Sequence, residues 1–145
     1  MSLFSVLGIA ASGMAAQRTR AELLVQNLAN AETTRTPEGG PYRRKDVVFM
    51  ADPEVVPFAE QFRAALGGPP VGVRVAAIVE DPREPIKRYM PGHPDADADG
   101  YVAFPRISPA EDMVDLLGAA RAYQANVTTM SVIKGMIQRA LELFR

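Results

Sequence analysis

Apolar residues recur in steps of three and four along the last third of the chain. Met113, Ala120, Val127, Lys134 and Leu141 form one row, and Leu116, Tyr123, Met130, Ile137 and Phe144 form another. Only Lys134 breaks the apolar run, so the pattern predicts a coiled-coil seam held over about five heptads. Ser108 suits a helix cap, Pro109 the first helical position, and Glu111 the third residue of a capping box. Asp112 and Asp115 put negative charge near the positive end of the helix dipole, and Arg139 and Arg145 put positive charge at the other end. The spacing therefore predicts one helix from Ser108 to Arg145, roughly 55 Å long at 1.5 Å per residue. A compact domain of this chain length is narrower than that, so the helix projects and its seam needs partners.

The first thirty residues repeat the logic. Leu3, Ala10, Gln17 and Leu24 make one row, and Leu7, Met14, Ala21 and Leu28 the other. Apolar character spreads further, to Phe4, Val6, Ile9 and Ala11. A helix apolar on most sides must be buried on most sides. A second helix covers only one of them. Two readings stand: a helical hairpin closed within one chain, or helices that meet each other and several neighbouring chains. Candidate contact residues are Leu3, Leu7, Met14, Leu24, Leu28, Leu116, Tyr123, Val127, Met130 and Ile137. Asn27, Asn30, Gln124 and Asn126 are placed to supply polar register, as a buried asparagine does in a coiled coil.

Between the helices the period changes. Val47 to Met50, Ile86 to Tyr89 and Tyr101 to Phe104 are short strand candidates. Val71, Val73, Val75, Ala77 and Val79 alternate with other residues and predict the best strand. Pro57 to Leu66 could make two helical turns, closed by Gly67-Gly68-Pro69-Pro70. The expected class is α+β: long terminal helices paired in a coiled-coil-like manner, with a small antiparallel β unit inserted between them. The expected division is a helical domain of 1–36 and 107–145, and a β-rich domain of 37–106.

Composition narrows the function. The 145 residues carry a net charge of -1, which gives no reason to expect nucleic-acid binding. With no cysteine there is neither a disulfide nor thiol catalysis. The apolar run from Leu3 to Ala16 lacks the preceding positive charge of a secretory signal and is too short to span a bilayer, so neither a cleaved signal nor membrane insertion is expected. Asp95-Ala96-Asp97-Ala98-Asp99-Gly100 matches the first half of an EF-hand loop. Position 12 would be Arg106, where calcium needs a bidentate acid. The bland alternative is an Asp-rich turn with Gly100 at positive φ. His93, between Gly92 and Pro94, is expected in a turn rather than as a general base. Arg43-Arg44-Lys45 reads as an anion site or, more simply, as a solvated cluster balanced by Glu38 and Asp46. No catalytic set, metal site or cofactor motif emerges.

Ser12-Gly13-Met14-Ala15-Ala16-Gln17, followed by Asn27-Leu28-Ala29-Asn30-Ala31, resembles the N-terminal signature of bacterial flagellar rod, hook and hook-associated proteins. Ala122-Tyr123-Gln124-Ala125-Asn126 resembles their C-terminal signature. The segments Thr33 to Lys45 and Pro91 to Val102 resemble those of the proximal rod members. The resemblance implies a structural subunit, exported through the flagellar type III apparatus without a cleaved signal. It also implies assembly in the periplasm with copies of itself and other rod proteins. The competing reading is a small helix-dimerising module that binds calcium or another ligand through Asp95 to Gly100.

Overall fold

The computed structural model describes residues 3–52 and 72–142. The helical turns expected between Pro57 and Leu66 lie outside the described residues. Two helices and four strands are seen: α1 (Leu3–Ala29), β1 (Lys45–Asp52), β2 (Gly72–Glu80), β3 (Ile86–Tyr89), β4 (Tyr101–Phe104) and α2 (Pro109–Glu142). This is the α+β order that the change of period predicts. The strands do not form one unit, however. β1 pairs with β2 and β3 with β4, as two separate antiparallel ribbons.

α1 is the element that α2, β1 and β2 pack against. It runs along α2 on one side and lies on β1 and β2 on another. Its all-round apolar character therefore has a partly internal explanation: the β1–β2 ribbon covers a side that α2 leaves bare. Ala10, Ala16, Leu23, Leu24 and Asn27 are its buried residues. Ser12 ties it to the ribbon, its Oγ accepting from the Val73 amide at 3.1 Å. α1 ends where Asn30 turns its side chain back, Nδ2 donating to the Gln26 carbonyl at 2.9 Å.

The alternation expected in β2 holds for only half the strand. Val48 pairs with Ala77 and Phe49 with Val75, so Ala76 is an extra residue, a β-bulge. Successive side chains alternate faces, so one extra residue moves the remainder of the row to the other face. Val73 and Val75 share a face with Phe49, but beyond the bulge Ile78 takes that place opposite Val47. Val79 pairs with Asp46 on the other side, and both Ile78 and Val79 are exposed at this end of the strand.

The two helices are antiparallel and unequal. α1 has 27 residues and α2 has 34. Gly13 of α1 faces Asn126 of α2, and Arg20 reaches Asp115 at 3.6 Å. Counting outward from Gly13 and Asn126, α1 begins where α2 still has about six residues to run, roughly 9 Å. Leu141 lies in that overhang and is exposed.

Candidate assembly interface

The inner seam of α2 is one residue away from the row that heptad counting selects. Asp112, Ala119 and Ile133 are buried, and Asn126, the fourth member of their row, is half-buried against Gly13. Met113, Ala120, Lys134 and Leu141, expected in the seam, are exposed. The other expected row fares differently. Leu116, Met130 and Ile137 are half-buried along the edge of the seam, as is Val127, whereas Tyr123 and Gln124 are exposed. Heptad counting finds the most apolar stripe, and here that stripe is turned away from α1.

The consequence is an apolar outer surface. Met113 (57 % exposed), Val114 (68 %), Leu117 (59 %), Val132 (58 %) and Met136 (50 %) lie along α2 with no cover from the described residues. On α1, Leu7, Met14 and Leu28 are half-buried, Leu24 is buried, and the side chain of Leu3 lies outside the described residues. The α2 side chains form two exposed apolar patches, Met113, Val114 and Leu117 in one and Val132 and Met136 in the other, about 22 Å apart along the helix, and exposed apolar patches mark contact surfaces.

Of the four polar residues expected at an interface, Asn27, Asn30 and Asn126 make hydrogen bonds inside the protomer, and Gln124 is exposed. Asn27 is fully buried. Its Nδ2 donates to the Lys45 carbonyl at 2.9 Å, and its Oδ1 accepts from the Lys45 amide at 2.9 Å and from the Tyr42 hydroxyl at 3.1 Å. The side chain thus supplies the start of β1 with the hydrogen bonds of a neighbouring strand. Asn30 closes α1, accepting from Thr33 Oγ1 at 3.1 Å. Asn126 donates to the Ala122 carbonyl at 2.9 Å.

Next to Asn27 lies a contact the sequence did not announce. Arg44 Nε and Nη2 donate to Asp112 Oδ1 at 3.2 and 2.9 Å. Asp112 is 1 % exposed, and its Oδ2 has no hydrogen-bond partner. Partial burial works against the charge of Arg44, but Asp112, with Asp46 and Asp115, more than offsets it and holds the guanidinium above its ordinary pKa. The phenol of Tyr42 is pushed up, first by burial and then by the nearby carboxylates of Glu80 and Asp112. Arg44 is therefore not a member of a solvated cluster; it pins the first turn of α2 to the start of β1. Nothing local in the Arg-Arg-Lys run distinguishes it. Asp112, read as a dipole charge, is the only hint.

The remaining polar features have structural uses. Asp97 Oδ1 accepts from the amides of Asp99 and Tyr101 at 3.0 and 2.8 Å, and Gly100 takes φ +80°. That is the Asp-rich turn. Asp95 Oδ2 accepts from Thr34 Oγ1 at 2.7 Å, so it faces the segment after α1 rather than a shared ion position. Among the described residues no group of three or more acids or histidines could hold a metal. His93 Nδ1 accepts from the Asp95 amide at 3.1 Å, inside the turn. A cleft of about 240 Å³ at the start of α2 mixes Arg44, Arg83 and Arg106 with Glu111 and Asp115, without a nucleophile paired to a base. No helix among the described residues is long and apolar enough to cross a membrane.

Comparison with known proteins agrees with this arrangement. Residues 98–143, which contain α2, match the family model described as flagellar basal body rod FlgEFG protein C-terminal. The chain is 40 % identical to the flagellar basal-body rod protein FlgC of Borreliella burgdorferi, covering 100 % of this chain and 99 % of that one. It is 40 % identical to the protein of the same name from Bacillus subtilis, over 99 % of each chain. Against that of Salmonella typhimurium it is 38 % identical, over 99 % and 98 %.

Proposed function

The chain belongs to the FlgC family of flagellar basal-body rod proteins, and from that premise we propose that the outer face of α2 and the exposed flank of α1 are its assembling surfaces. The protein is a structural subunit of the rod, located in the flagellar basal body and serving motility. The observation that carries the proposal is the pair of exposed apolar patches on α2, Met113, Val114 and Leu117 near its start and Val132 and Met136 near its end. Burying such patches between chains contributes about 25 cal/mol per Å². Contacts that join unlike faces of successive subunits, where the rotation does not close a ring, build a helical tube.

Within that reading, the neighbours are copies of the chain and other rod proteins. Torque is resisted by many parallel helix contacts. The subunit travels through the type III export apparatus without a cleaved signal and joins the rod where it crosses the periplasm. Of the residues expected at the interface, Leu7, Met14, Leu28, Tyr123, Gln124 and Val127 retain accessible surface for it, whereas Leu24 and Asn27 act within the protomer.

Leu117→Asp tests the proposal. The purified variant keeps wild-type helicity, because position 117 faces solvent in the protomer. A strain carrying it is non-motile, and its basal bodies lack this subunit. Normal motility with the aspartate in place would remove α2 from the interface.

A further inference from the structure

α2 carries two adjacent rows that could face α1, and it uses the less apolar one. The inner row is Asp112, Ala119, Asn126 and Ile133. The neighbouring row is Met113, Ala120, Val127, Lys134 and Leu141, of which only Val127 is even half-buried. The rows differ by one residue, a rotation of about 100° around the helix axis. On apolar burial alone the second row would win. Its polar member is a lysine whose stem can lie along apolar surface with its charge in water.

One polar contact and one close packing contact hold the observed choice. Asp112 meets Arg44 at the first turn of α2, with Nη2 to Oδ1 at 2.9 Å. Fourteen residues on in the same row, Asn126 lies over Gly13, where a Cβ would come within 3.1 Å of the amide. A glycine there lets the asparagine pack closely, and any side chain would make it give way by a few tenths of an ångström. Turning α2 by one residue would break both contacts at once and leave Arg44 without Asp112. A polar side chain placed in a seam to select one register at a cost in stability is an established device in coiled coils.

We infer that Asp112 and Asn126 are register-selecting residues: they hold α2 in the rotation that keeps its more apolar row turned outward. They act on the rotation of α2 within the protomer, so they determine which face is offered to a neighbour without touching it. The inference concerns the same surface as the rod reading but does not depend on a rod being formed.

The test uses Asp112→Ala combined with Asn126→Ala, which removes both polar side chains while keeping the inner row less apolar than its neighbour, and leaves Arg44 its second partner, Asp46. The natural chain has no cysteine, so single cysteines at 113, 119 and 120 report cleanly on rotation through their rate of maleimide labelling. In the otherwise unchanged chain, 113 and 120 label fast and 119 slowly. With the selecting residues removed, α2 is no longer held to one rotation. Labelling at 113 and 120 slows and labelling at 119 speeds up, each by about tenfold if the second seam is well populated. A folded variant that keeps the original labelling pattern overturns the inference. If the double variant does not fold, Asp112→Ala alone decides: a shift of the same sign at 113 and 119 supports the inference, and an unchanged pattern or loss of the fold overturns it. Either result leaves the rod assignment untouched, because labelling is read on the isolated protomer.

Discussion

Asn27 pairs with Lys45 through both backbone polar groups, accepting its amide and donating to its carbonyl, each at 2.9 Å. One side chain of α1 thereby fixes where β1 begins. Asn27→Ala leaves the Lys45 amide and carbonyl and the Tyr42 hydroxyl without this partner in a buried site. The expected loss is about 2–4 kcal/mol, read from urea unfolding of the purified chain. Asn27→Asp sets a carboxylate oxygen against the Lys45 carbonyl in a fully buried position, so at neutral pH it is at least as destabilising as alanine.

Arg44→Ala removes the partner of a carboxylate that is 1 % exposed. Stranding such a charge costs about 3–5 kcal/mol. Arg44→Lys recovers only part of it, since Nε and Nη2 both reach Oδ1 and an ammonium cannot reproduce that geometry. Thermal unfolding of the two variants gives the order wild type, lysine, alanine.

Gly13 tolerates little. A methyl group there gains helix propensity but meets Asn126 at 3.1 Å, so Gly13→Ala is close to neutral in stability. Gly13→Leu pushes the helices apart at the signature segment and costs about 1–3 kcal/mol, as overpacking does. Calorimetry separates the two.

Asp81 carries the one pH signature with a defined window. Hydrogen bonds from the Arg83 side chain and amide pull its pKa down from 3.8 to about 2. A depressed acid stabilises the fold above its unfolded value and loses that contribution as pH falls through the folded one. The Asp81–Arg83 contribution is therefore complete above about pH 4 and gone near pH 2. Arg83 is well exposed, which screens the pair, so the effect stays below about 1 kcal/mol. Asp81→Asn is less stable than wild type at pH 6, and the two converge near pH 2.

Much of this molecule is legible in the residues alone. The bounds of α1 and α2, the positions of β3 and β4, and the turn geometry of Asp97 and Gly100 follow from period and local chemistry. What the residues alone do not show is which face of each element meets the chain's own core. Heptad counting ranks α2 rows by apolarity, and it picks Met113 over Asp112 because it cannot see Arg44 waiting 68 residues earlier. Alternation places Val79 on the packed face of β2, since a bulge at Ala76 leaves no mark in composition. Asn27 is recognisable as important, yet only the path of the chain to Lys45 shows that its task is internal.

The unequal lengths of α1 and α2 have a mechanical consequence. In a stack of such protomers, each long helix overruns the foot of its short companion, so the joints of successive layers are offset, like courses of bonded brick. No flat plane across the axis then passes through contacts between subunits alone. A bending or twisting load has to slide helix along helix, spreading over every side chain in the overlap, rather than prise open one ring of joints.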